Sequence, residues 1–396
     1  MSLESKLQPI LDKAVKEDGP AGAQFGAVWQ DKSGEWKFAT VAAGEREIGA
    51  LSLPRYALVD FVHYLLTYML ARAVEKGLLN LDDAAQVEKF APELIAKEMM
   101  GGIQVRAKPT LRNLLTHTAG LCYSFFKIDG QRWSKLNDGL DEFDGTAKAF
   151  EGPLVFEPGS GWEYGTGIDW AGIILERASS KKLSEWLQEN VFEPLGASSI
   201  SFHLSDDDKK KLMQMHQRGE DGKLTKREHL KFTTHGATQD SGGAGAFGTV
   251  ADYLKCIVPL LNGGVGANGT RILEEDTVRE MLRDQLPDIL GGEKPAQDAM
   301  DKKIPAVNKE YTYPIEMMPG VDKGWGISFQ ILKSDLPTGR KANSVWWAGL
   351  CNNFWSADPS AKVGHMILSA SFPFNDPKVI NPWLELEGEV YQSVAA

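Results

Sequence analysis

At 396 residues, 42% of them hydrophobic, the chain is long enough to bury a large core without disulfide or metal staples. Fifty-four acidic against 43 basic residues leave a net charge of −11, and the Asp208-Lys209-Lys210-Lys211 cluster is an isolated interruption, so nucleic acid and anionic membrane are poor partners. The N-terminal MSLESKLQPILDKAVKED has neither an apolar signal core nor a basic flank, and no uncharged apolar stretch reaches membrane-spanning length, so a cytoplasmic protein is expected.

Ser2 to Glu17 carries apolar residues at helical spacing, and GAQFGAVWQ and WKFATVAAGE alternate around Asp31-Lys32-Ser33-Gly34, which predicts a helix followed by a β-hairpin. From Ala57 to about Ala178 the pattern is mostly helical: the apolar run ALVDFVHYLLTYMLARAV (57–74), a loop at NLDD, a helix starting near Thr110, and IDWAGIILERAS after a Gly-rich turn. GWGISFQIL, SVWWAGL and VGHMILSASF are β-rich runs near the end, while GGEKPAQDAMDKKIPAVNKEY (291–311) reads as a long surface loop. This order predicts an α/β chain: a sheet domain from 1–56 and 246–396, a mainly helical domain from 57–245, and a cleft at their junction.

Asp60 and His63 stand inside the apolar run. On a helix, positions i and i+3 share a side, so the two can face one space and share a proton. Buried ionisable groups either shift their pKa or find a partner, and such sites are enriched in catalysis. A buried pair that merely satisfies itself is the plainer reading. His117, His203, His216, His229, His235 and His365 show no paired ligand spacing, so neither metal nor other cofactor is expected. Cys122, Cys256 and Cys351 are far apart and read as core residues.

VEKGLLNLDD, LLTHTAGL, FEPGSGWEYGTGIDWAG, SGGAGAFGTVADY and SVWWAGL occur in the order found in the serine β-lactamase-related family of class C β-lactamases, esterases and fungal lovastatin-type acyltransferases. The chain resembles that family from about Gly22 to Pro382, and the wording YGTGIDWAG is most similar to the fungal branch. The resemblance implies a β-lactamase/transpeptidase-like fold, with an antiparallel sheet from both termini flanked by helices. It also implies an S-x-x-K motif whose Ser is acylated and whose Lys helps remove the proton. Counting back from Val74 with the family spacing puts Asp60 at the Ser position and His63 at the Lys position, so acyl transfer by the family mechanism is not expected from those residues. Ser52-Leu53-Pro54-Arg55 has a related form, but Pro54 interrupts the turn that would align it.

By the same resemblance, Tyr164 is the general base or acid, the alternative being a Tyr anchored in a helix-to-loop turn. Gly349 lies in the strand of the K-T-G or W-x-G motif and lets a ligand approach the backbone. The N–H groups of Asp60 and Leu350 would form the oxyanion hole. Tyr64, Tyr123, Phe126, Trp325, Trp347, Gly349 and Leu350 are the candidate binding residues, suited to a hydrophobic or polycyclic small molecule from secondary metabolism.

The expected function is acid–base chemistry by Asp60, His63 and Tyr164: isomerisation, cyclisation, elimination or C–C cleavage. The alternatives are hydrolysis or acyl transfer on an ester, amide or lactone, and a non-catalytic binding protein. The sequence leaves the oligomeric state open.

Overall fold

The computed structural model describes residues 2–48, 65–231, 233 and 236–394, together with 59–60, and of 59–60 and 65–69 the backbone alone. At its centre is a seven-stranded antiparallel sheet in the order Trp36–Gly44, Gly22–Gln30, Val363–Leu368, Asn353–Asp358, Val345–Gly349, Gln330–Leu332, Lys323–Trp325. The expected N-terminal hairpin supplies two strands, and the register from Gln24 opposite Leu368 to Trp29 opposite Val363 joins it to the C-terminal strands. The run Gly324–Leu332, read as one strand, is two, because the chain reverses between them with Ser328 at φ 69°.

Helices cover both faces. The helix Leu3–Lys16 starts where the Ser2 side chain caps Ser5 N and buries Leu3, Leu7 and Leu11, spaced one turn apart. It packs beside the C-terminal helix Pro377–Val394, whose Trp383, Leu386 and Val390 close a core with Phe25, Phe354 and Ile367 of the sheet. On the other face, the helix Val250–Leu261 lies against Gly22–Gln30 and Val363–Leu368.

Two glycines permit this approach. A Cβ on Gly26 would stand 2.4 Å from Val250 Cγ1, and one on Gly364 would stand 2.5 Å from Ile257 Cγ2. Gly26→Ala and Gly364→Ala are each expected to lower stability by about 1–3 kcal/mol through overpacking. Urea unfolding measures this, and an unchanged midpoint would mean that the helix has room to move.

The helical region is built around Gly167–Ser179, which is buried continuously from Gly167 to Leu175 and contacts Leu65–Glu75 and Leu111–Leu115. The latter starts after Thr110, as the sequence suggested, and Thr110 caps it with Asn113 in a reciprocal box. This region also contains a short hairpin, His216–Arg218 with Leu224–Lys226, which pairs through His216 and Gln217 with Ser371 and Phe372.

Two further expectations are corrected. Within the run 57–74, read as one helix, the described residues are a helix only over Leu65–Glu75, while Val59–Asp60 forms an antiparallel pair with Phe247–Gly248 and its backbone is committed to that strand. The loop read over 291–311 contains the helix Glu293–Met300, because Ala296 and Met300, one turn apart, are buried together. No helix among the described residues is long and apolar enough to cross a membrane.

Candidate active site

Tyr164 is placed by glycines that bring backbone against backbone. A Cβ on Gly165 would lie 2.5 Å from Cys122 Cα, and one on Gly167 would lie 2.3 Å from the Leu114 carbonyl oxygen. The turn Tyr164-Gly165-Thr166-Gly167 therefore seats directly on Leu121–Cys122 and on the end of Leu111–Leu115. His117 fastens it from below: its carbonyl accepts from Glu163 N at 2.9 Å, and its Nδ1 accepts from Gly165 N at 3.3 Å. With Nδ1 an acceptor, the buried imidazole is neutral with its proton on Nε2. The His117 ring lies edge-on to Tyr164, with centroids 4.8 Å apart.

From the sheet side, Trp347 Nε1 donates to Tyr164 Oη at 3.1 Å. The Tyr123 hydroxyl also pairs with that of Tyr164. Burial pushes the Tyr164 phenol well above its ordinary value, against the effect of the Trp347 hydrogen bond, so at neutral pH it is a proton donor.

Tyr164 faces a cavity of about 250 Å³ between the helical region and the sheet. Its walls are largely aromatic and aliphatic, among them Phe125, Phe126, Phe143, Trp347, Phe354 and Leu384. A few polar groups interrupt them. Asp169, in the first turn of Gly167–Ser179, accepts from Ser241 Oγ at 2.6 Å and Gly243 N at 2.8 Å, and burial raises its carboxyl to about 6 against those two bonds. Glu142 is raised to about 7 by burial, offset by its bonds from Ser124 N and Oγ. Such a cavity takes a largely apolar small molecule and offers it a few hydroxyl and carboxyl groups near Tyr164.

Of the residues singled out from the sequence, Tyr123, Phe126, Tyr164, Trp347, Gly349 and Leu350 line this cavity together. Gly349 has no packing reason to be glycine, since a Cβ there would meet Asn353 Cβ at an ordinary 3.6 Å, which leaves its open face to a ligand. Trp325 is corrected to a supporting position: fully buried, it stands behind Trp347 with ring centroids 4.5 Å apart and is not among the lining residues.

His63, Tyr64 and Ser52–Arg55 lie outside the described residues. Asp60 is a strand residue opposite Phe247, so the helical i, i+3 argument for an Asp60–His63 pair does not apply. Asp169 was passed over, and Ser241, in a loop that the family resemblance places beside the site, was given no role, although both fall in quoted motifs. The signal was present: a carboxylate in the otherwise apolar IDWAGIIL is the same anomaly that drew attention to Asp60. Among the described residues, no group of three or more His, Cys, Asp or Glu is placed to hold a metal ion.

A sheet from both chain ends, a helical region beside it and a Tyr-Gly-Thr turn facing a tryptophan strand define the class: the chain belongs to the beta-lactamase family, whose profile matches residues 65–389. The match begins just after the position of His63. Monacolin J acid methylbutanoyltransferase of Aspergillus terreus is 30% identical over 339 residues, 81% of this chain and 78% of that protein. Lovastatin esterase of Penicillium rubens is 29% identical over 287 residues, 67% of each chain. A variant of simvastatin synthase from Aspergillus terreus superposes with a TM-score of 0.83 at 28% identity, covering 99% of this chain and 95% of that one. These relatives are enzymes of acyl transfer and ester hydrolysis, and they favour the hydrolase or acyltransferase reading over isomerisation, cyclisation or C–C cleavage.

Proposed function

We propose that this protein hydrolyses or transfers the acyl group of a hydrophobic ester or lactone, of the kind made in fungal secondary metabolism, with Tyr164 handling the proton of the alcohol oxygen. The observation that carries the reading is the Tyr164 hydroxyl, fixed by Trp347 and Tyr123 on the wall of an apolar cavity. An ester whose apolar body fills the cavity would present its alkoxy oxygen to that hydroxyl. Acid–base isomerisation is the weaker reading, because it drew on a helical Asp60–His63 pair and Asp60 is in a strand.

The test is turnover of p-nitrophenyl esters from acetate to decanoate, with acyl exchange onto a bicyclic alcohol followed by mass spectrometry. Rates that rise with acyl length are expected from an apolar cavity. Folded protein that binds these esters yet neither cleaves nor exchanges them would replace the proposal with the binding-protein reading.

A further inference from the structure

We propose that Ser241 is the acyl-accepting nucleophile of this protein and Asp169 its general base, standing in for the serine that the family carries at the position of Asp60. The inference rests on the acyl chemistry proposed above and names the group that performs it. A carboxylate at position 60 cannot form an acyl ester, so a covalent route needs another hydroxyl in the same cavity. Among the described residues lining that cavity, Ser241 is the one serine or threonine.

Its setting suits the task. Ser241 Oγ donates to Asp169 Oδ1 at 2.6 Å and accepts from Ala244 N at 2.8 Å, which leaves a second lone pair for attack. The Asp169 carboxyl is carried on the buried first turn of Gly167–Ser179, and the Gly243 amide holds the same Oδ1, so the pair is fixed from both sides. A Cβ on Gly243 would lie 2.6 Å from both Asp169 Oδ2 and Tyr123 Oη, so the second carboxyl oxygen and the Tyr123–Tyr164 pair converge over that glycine. Ser241 also precedes by a few residues Phe247, the strand partner of Asp60, so one segment carries both Ser241 and the backbone partner of the family's nucleophile position. With a carboxyl value of about 6, Asp169 is ionised at neutral pH and able to take a proton.

The chemistry closes on these groups. Ser241 Oγ bonds to the acyl carbon as its proton passes to Asp169 Oδ1. The bond from the acyl carbon to the alkoxy oxygen then breaks, and the departing oxygen takes the Tyr164 Oη proton. Water or a second alcohol next attacks the acyl carbon and gives its proton to Tyr164 Oη, while Ser241 Oγ leaves with the proton held by Asp169. Both residues return to their starting states, and no outside oxidant or cofactor is used.

Labelling with a long-chain fluorophosphonate, followed by peptide mapping, tests the assignment. One adduct per chain at Ser241 is expected, together with a fall of 100-fold or more in p-nitrophenyl ester turnover in Ser241→Ala. In Ser241→Cys, an activated ester should leave a thioester on the new thiol. Should Ser241→Ala fail to fold, the mapped site in the wild-type protein decides alone. A label on Tyr164, Cys351 or another serine, or turnover in Ser241→Ala within threefold of wild type, overturns the inference. Ester turnover by a protein never labelled at Ser241 overturns it too while leaving the proposed function standing. Absence of any turnover or exchange removes the proposed function itself.

Discussion

Tyr164→Phe is expected to lower kcat/KM for a simple alkyl ester by about 10²–10³, the usual contribution of a positioned acid–base group. The variant keeps the ring that packs against His117 at 4.8 Å and Trp347 at 4.9 Å, so the change is confined to the hydroxyl. Trp347 Nε1 and the Tyr123 hydroxyl lose an acceptor, which costs about 1 kcal/mol of stability. Leaving groups separate a proton donor from a spacer. Nitrophenolate departs without help, whereas an alkoxide needs its proton, so the defect should be at least tenfold smaller for p-nitrophenyl esters than for alkyl esters of the same acid. An equal defect for both classes would make Tyr164 a positioning group.

What was legible in the sequence was carried by local patterns. The apolar spacing of Leu3–Lys16, the hairpin across Asp31–Gly34 and the helix start near Thr110 each depend on neighbours a few residues away, and each was read as it is built. Tyr164 was singled out because its motif wording survives, and the glycines of that wording are the ones its close backbone contacts demand.

The misreadings share a cause. Asp60 looked helical because apolar residues surround it in sequence, but its backbone partner is Phe247, far along the chain and invisible to any periodicity. Trp325 looked like a pocket wall because it is aromatic and near the motif strand, yet it packs behind Trp347. Asp169 and Ser241 meet across 72 positions of chain. Two of the quoted motifs each contained one half of that pair, and the fold brings the halves together. The chemistry a motif supports thus depends on long-range pairing that its spacing does not encode.

Glu387→Gln is expected to cost about 3–5 kcal/mol of stability while leaving the cavity residues in place, because it strips the partner from a buried charge. Arg340 and Glu387 are both fully buried, with Arg340 Nη2 3.1 Å from Glu387 Oε2 and the guanidinium over the Trp383 ring at 5.3 Å. Glu387 also faces Thr338 Oγ1 and His365 Nε2, the latter at 2.9 Å. His365 Nδ1 accepts from Trp383 Nε1 at 3.2 Å, and burial lowers the imidazole pKa, so the ring is neutral and Glu387 is the countercharge that Arg340 directly meets. Asp358, the other buried carboxylate nearby, is occupied by Tyr391 Oη and the amides of Lys341 and Ala361.

Burial alone would raise the Glu387 pKa, but the charge of Arg340 and the bonds from His365 and Thr338 hold it at about 2. A depressed carboxyl contributes stability above its unfolded value and loses it as pH falls toward the folded one, here between about 4.5 and 2. Urea unfolding at pH 7 should therefore separate wild type from Glu387→Gln by the full amount, and the gap should narrow by pH 3. Replacing both members, as Arg340→Met with Glu387→Leu, should recover most of the loss, since an apolar pair of similar volume leaves no charge unpaired. A double variant as unstable as the single one would shift the explanation from the ion pair to the packing of Trp383 between the C-terminal helix and the sheet.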